Sequence, residues 1–195
     1  MFKKNKVLLI ITLILSINLL SSVAHANIQK YQLGIISIQQ EKSNWCWAAS
    51  AEMQGRWAYS NATKTQWDIV RHLKGSWYYW YPNVGGSVND TRLASESVTN
   101  NTQSFSSTTT MTMAQIRASI INVNPKPIIG GYVYYDENGT RIGGHMVVIN
   151  GSYTESFGDT LGYIDPLDAT QHWCTYDAFL DGSYNGGIYE VSVWY

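Results

Sequence analysis

The chain has 195 residues, of which 45% are hydrophobic and 14% are charged, and its formal net charge is −1 at pH 7. It has no basic run beyond its first six residues. This argues against a nucleic-acid-binding protein, because there is no cluster of Lys and Arg side chains to pair with the phosphates. Its two cysteines and four histidines show no spacing typical of metal ligands. We therefore predict no metal site and no cofactor.

The first 26 residues have the features of a secretory signal peptide. Positive charges at residues 3–6 precede an apolar run over 7–20 and a small-x-small cleavage site at 24–26. The apolar run is short for a membrane span, which needs about 20 residues, although an uncleaved anchor is the alternative. We expect a secreted domain over residues 27–195 with no membrane attachment. Its net charge would be −4, from ten basic and fourteen acidic residues.

The first part of this domain is predicted to be mainly helical. Residues 27–39 indicate a short strand or an extended lead-in, and residues 99–112, rich in Ser, Thr and Asn, indicate a polar loop. Capping signals and apolar periodicity predict four helices. These run from about Trp45 to Ala58 after a Ser43 or Asn44 cap, from the capping box at Thr65 to before Gly75, from an Asn89 or Asp90 cap to about Val98, and from the capping box at Thr112 to about Ile121.

The second part is predicted to form strands. Residues 128–135 are β-branched and aromatic, Asn138-Gly139 is a hairpin signal, and further strands are expected at 144–151, 160–165 and 187–194. Helices followed by antiparallel strands indicate an α+β fold. The aromatic run Trp77–Tyr81 is expected either to pack as a loop or to line a peptide or glycan cleft.

One cysteine stands at the expected start of the first helix, between two tryptophans. The helix N-terminus favours the thiolate of Cys46, and the free N–H groups of the first turn can stabilise an oxyanion. Gln40, six residues earlier, can supply a second oxyanion donor. Cys46 is therefore predicted to be a nucleophile.

A histidine and an aspartate on two later strands complete a possible catalytic set. His145 follows two glycines at the mouth of one strand, and Asp165 ends another. His145 can deprotonate the cysteine, and Asp165 can orient the imidazole ring and stabilise its charge. Asp168 is a second acidic candidate for this role, and Asn150 is a weaker one because it lies on the same strand as His145.

The second cysteine allows a different reading. In an exported chain, Cys46 and Cys174 could form one structural disulfide, which would consume the nucleophile. We favour a free Cys46 because of its neighbours and its candidate partners. Cys174 is then expected to be a small buried apolar residue.

Three sequence blocks together resemble bacterial papain-like cysteine peptidases, closest to the bacteriocin-leader peptidases and the plant-pathogen avirulence proteases. The blocks are Gln40-x5-Cys46-Trp47-Ala48-Ala49, Gly144-His145-Met146-Val147-Val148 and Tyr163-Ile164-Asp165-Pro166. The resemblance implies a papain-like fold, with an N-terminal helical half packed on a C-terminal antiparallel sheet. It implies Cys46 as nucleophile, His145 as general base and acid, Asp165 as orienting group and Gln40 in the oxyanion hole. The implied partner is a protein or peptide substrate.

Three alternatives stay open. A transglutaminase-like acyl transferase uses the same three residue types, and secretion with the aromatic run is compatible with a peptidoglycan amidase. A non-catalytic binding domain with a disulfide between its cysteines is the third. Substrate identity and oligomeric state are not predicted.

Overall fold

The computed structural model describes residues 30–75, 83–155 and 158–195. The predicted signal peptide over 1–26 lies outside these ranges, and so does the aromatic run at 77–81. Among the helices of the described residues, none combines the length and apolar character needed to span a bilayer.

Five helices and seven strands occur in the described residues. The helices are α1 (Cys46–Ala58), α2 (Gln66–Lys74), α3 (Val88–Val98), α4 (Met113–Ile120) and α5 (Tyr176–Asp181). The strands are β1 (Tyr31–Gln32), β2 (Ser106–Thr109), β3 (Ile128–Tyr135), β4 (Arg141–Glu155), β5 (Gly158–Asp165), β6 (Thr170–Thr175) and β7 (Ile188–Trp194).

All seven strands join one sheet, and each pair is antiparallel. The order is β2-β7-β3-β4-β5-β6, and β1 pairs with the far end of β4. The predicted α+β class is therefore confirmed. The fifteen-residue β4 is the central strand, and its pairing places His145 opposite Tyr132 on β3 and Val148 opposite Ile164 on β5.

The sheet separates two apolar clusters because successive side chains of a strand point to opposite faces. Met146 and Val148 of β4 pack with α1, in the cluster that contains Cys46. Val147 and Ile149 pack in the other cluster, which contains Cys174. The two cysteines therefore belong to cores on opposite sides of the sheet.

The starts of α2 and α4 follow the predicted capping signals. Thr65 N donates to Asp68 Oδ2 over 3.1 Å before α2, and Thr112 caps α4 in the predicted box. The predicted cap of α3 is wrong, because Ser87 is its N-cap. Asp90 lies three residues inside, where its carboxylate accepts from Ser87 N over 2.7 Å, so it completes a capping box instead of opening the helix.

Several elements depend on pairing that the local sequence does not reveal. The polar loop predicted over 99–112 contains β2, whose four exposed residues add to the edge of β7. Residues 170–181 carry β6 and α5, for which no element is predicted. β4 also extends beyond the predicted 144–151 at both ends, because β1, β3 and β5 supply partners along its whole length.

Candidate active site

Helix α1 begins without a side-chain cap, and this is the first feature of the site. The N-cap is Trp45, which offers no side-chain acceptor, so the predicted Ser43 or Asn44 cap is wrong. The backbone N–H of Cys46 donates to no acceptor within the described residues. An uncapped first turn leaves donors and the positive end of the helix dipole free at the cysteine, as an anion site requires.

The side chains of Ser43 and Asn44 are engaged elsewhere, which explains why they do not cap α1. Asn83 Oδ1 accepts from Asn44 N over 2.9 Å, and Asn83 O accepts from Asn44 Nδ2 over 3.0 Å. Asn83 Nδ2 also donates to Ser43 Oγ over 2.8 Å. Asn83 therefore fixes the turn before the cysteine, a role that no signal in the sequence indicates.

Neighbouring strands bring the histidine and the aspartate together. His145 lies on β4, Asp165 ends β5, and 2.7 Å separates His145 Nε2 from Asp165 Oδ1. The two side chains are 14% and 20% exposed, so the pair is largely shielded from water. Leu167 N, directly after Pro166, donates to the same Oδ1 over 2.8 Å and so helps to fix the carboxylate.

Cys46 and His145 line the same cleft, and the thiol is close enough to the ring to affect the pKa of the imidazole. Because Asp165 engages Nε2, Nδ1 is the ring nitrogen left for the thiol. Burial lowers the pKa of His145, but hydrogen bonds to Asp165 and Cys46 outweigh it and raise the pKa to about 9. Burial raises the pKa of Asp165, but its hydrogen bond to His145 and the ring's charge bring it below its usual range. At neutral pH this geometry favours an imidazolium ring between two groups that can carry negative charge.

The other candidate partners of His145 are occupied elsewhere. Asp168 Oδ2 lies 3.2 Å from His172 Nε2 of β6 in a solvent-exposed contact. Asn150 Nδ2 donates to Gln171 Oε1 over 2.8 Å and to a backbone carbonyl of the lead-in segment. Of the three proposed orienting residues, the structure brings only Asp165 to the histidine.

A cleft of about 430 Å³ opens beside Cys46 and His145. The start of α1 and the loop at 85–86 form one wall, and β3 and the start of β4 form the other. Gly144 is required there, because a Cβ on it would lie 2.9 Å from Tyr132 O. Gly143 is not constrained in this way, since its nearest neighbour would be 3.8 Å away. Cys46 and His145 both line this cleft.

Gln40 directly follows the lead-in segment and lies beside the loop that follows Asp165. Its backbone N donates to Pro166 O over 2.7 Å, which ties the segment to the end of β5. Its Nε2 donates to the carbonyls of Lys42 and Ser43 over 3.0 and 2.9 Å. Those bonds hold the amide against the turn that precedes Cys46. Its oxyanion role stays a prediction, and the Cys46 N–H is the donor that the described geometry leaves free.

Both cysteines are free thiols. Burial raises the pKa of Cys174 to about 12, so that thiol is unreactive at neutral pH. Cys46 is 9% exposed and faces the cleft. Within the described ranges, no three His, Cys, Asp or Glu side chains are grouped as a metal ion would need.

Comparison with known proteins gives no further guide to this site. The chain matches neither a protein-family model nor a curated protein.

Two residues of the site environment escape prediction from the sequence. Gln66, 1% exposed, accepts from Glu41 N over 2.9 Å and donates to Gln39 O over 2.8 Å, and so anchors the lead-in segment. Arg141 lines the cleft from the first position of β4. Its closeness in sequence to Gly143-Gly144-His145 is the one signal that could have identified it.

Proposed function

We propose that the chain is a secreted, papain-like cysteine endopeptidase. The proposal depends on one observation, the 2.7 Å His145–Asp165 pair with Cys46 in reach of the same ring at the uncapped start of α1. The antiparallel sheet with α1 against one face is compatible with the papain-like arrangement.

The reaction follows from the positions of these groups. In the resting pair the His145 ring holds the proton of the Cys46 thiol, and the thiolate attacks the carbonyl carbon of a peptide bond. The oxyanion accepts from the Cys46 N–H. The Gln40 amide, proposed as the second donor, must first release its hydrogen bond to Lys42 O or to Ser43 O. His145 then donates its proton to the departing amine, which leaves an acyl-thioenzyme. Water, deprotonated by His145, attacks this thioester and releases the carboxylic acid and the thiol.

Asp165 serves the histidine instead of the substrate. Its carboxylate holds Nε2, so the ring keeps Nδ1 directed to the thiol and its positive charge is stabilised. Loss of the Asp165 carboxylate is expected to reduce peptidase activity less than loss of Cys46 or His145. Asp165 orients the ring and stabilises its charge, whereas Cys46 and His145 carry out the bond-making and proton-transfer steps.

Labelling of the nucleophile tests the proposal. The mature domain is treated near pH 7 with an epoxide inhibitor of cysteine proteases, and the adduct is counted by intact mass. One adduct is expected in the wild type and none in Cys46→Ala. Cys174→Ala is the matched control and keeps the adduct, because the Cys174 thiol is buried and its pKa is high.

Hydrolysis of a peptide library completes the test, with a labelled amine present in a parallel sample. Peptide cleavage that is lost in Cys46→Ala supports the peptidase. Amine incorporation without hydrolysis would replace it with an acyl transferase, and cleavage retained in Cys46→Ala would reject the mechanism.

A further inference from the structure

One arginine of the cleft has no carboxylate partner. The chain contains five arginines, and within the described residues four of them form ion pairs at 2.6 to 3.0 Å. The fifth is Arg141, which forms no ion pair and donates no side-chain hydrogen bond among those residues. In a chain with more acidic than basic residues, an unpaired arginine has no evident role in stabilising the fold.

The position of Arg141 directs its charge into the cleft. A Cβ on Gly144 would lie 3.3 Å from Arg141 Nη2, so the guanidinium lies against the glycine that precedes His145. Both Arg141 and His145 line the cleft that contains Cys46. A substrate that reaches the thiol therefore passes close to the guanidinium.

Among the described residues that line the cleft, none is acidic and could neutralise this charge. Asp165, which lies behind the histidine, is engaged by the ring and by Leu167 N. The cleft therefore presents a guanidinium and the His145 ring, and no lining carboxylate opposes them. Walls of low dielectric constant strengthen the field of such charges on a bound ligand.

We propose that Arg141 binds a carboxylate side chain of the substrate, so that the preferred peptides carry Asp or Glu within a few residues of the scissile bond. The planar guanidinium, with five N–H donors, matches a carboxylate in a bidentate geometry. This selectivity rests on the proposed peptidase function.

Peptide libraries that differ only in acidic, neutral or basic residues beside the scissile bond test the proposal. Wild-type kcat/KM is expected to favour acidic over neutral peptides by roughly fivefold, as for a partly exposed ion pair. Arg141→Gln should abolish this preference, and Arg141→Glu should invert it in favour of basic peptides. Arg71 is an exposed arginine on α2 that does not line the cleft, so Arg71→Gln should leave the preference unchanged.

Alkylation of Cys46 supplies a readout that needs no hydrolysis. The ratio of the iodoacetate rate to the iodoacetamide rate should fall severalfold in Arg141→Gln and stay constant in Arg71→Gln. An unchanged ratio in Arg141→Gln, or cleavage of peptides without an acidic preference, would overturn the assignment and leave the peptidase function intact. Failure of the wild type to cleave any peptide would instead reject the proposed function, and the substrate preference with it.

Discussion

Replacing Asp165 with Asn tests the electrostatics of the site most directly. The ring of His145, 14% exposed, has its pKa raised from 6.5 to about 9. This difference corresponds to roughly 3 kcal/mol in favour of the protonated ring. Asp165 and Cys46 share the effect, and a hydrogen bond to a charged group contributes about 1.5–3 kcal/mol. Asp165→Asn should therefore lower the pKa of His145 by roughly one to two pH units.

Titration of the imidazole resonances by NMR measures this change. Cleavage after Ala26 would leave three histidines, and the His145 signal is identified by its absence in His145→Ala. Asp168→Asn is the matched control, because Asp168 pairs with His172 and does not contact His145. A His145 that titrates near 6.5 in the wild type, or whose pKa is the same in Asp165→Asn, would refute the reasoning.

The same pair predicts how stability depends on pH. A histidine whose pKa is raised on folding stabilises the native state. The full contribution is present below the pKa of the unfolded state, and it is lost as pH rises through the pKa of the folded state. The free energy of unfolding should therefore fall between about pH 6.5 and 9. The fall should be smaller in Asp165→Asn, and urea denaturation across this range measures both.

Two further substitutions test the packing around the site by urea denaturation. A Cβ on Gly86 would lie 2.3 Å from the Trp47 indole, so Gly86→Ala should destabilise the fold by about 1–3 kcal/mol, whereas Gly85→Ala meets nothing within 4 Å and should be nearly neutral. The fully buried Gln54 donates to two backbone carbonyls and accepts from a serine hydroxyl, so Gln54→Leu should cost about 3 kcal/mol or more. Gln103→Leu, at an exposed position, should cost little, and equal losses in the two glutamine variants would contradict this account.

Local signals account for the parts of the fold that were predicted well. Capping boxes at Thr65 and Thr112 depend on residues three apart, so they can be read from a short window. The strand over 128–135 is recognisable because it is rich in β-branched and aromatic residues. The orders of the helices and of the major strands follow from such signals, and with them the α+β class.

Long-range pairing accounts for what was missed. β2 consists of four exposed Ser and Thr residues, so only the open edge of β7 makes it a strand. The start of α1 was mispredicted for a similar reason, because Asn83, some forty residues away, engages the side chains of Ser43 and Asn44. Nothing in the local sequence shows either interaction.

The residue types of the candidate site and their order can be read from the amino-acid sequence, because a nucleophile, a base and an orienting carboxylate have recognisable surroundings. Which acid meets the histidine depends on how the strands pair. Pairing of β4 with β5 puts Asp165 beside His145, while Asp168, three residues on, turns to His172. The tertiary structure likewise leaves Arg141 without an ion pair among the described residues and places it in the lining of the cleft, since an ion pair depends on which side chains meet in space. Distances between strands are set by the packing of the whole sheet, so no local reading of the chain contains them.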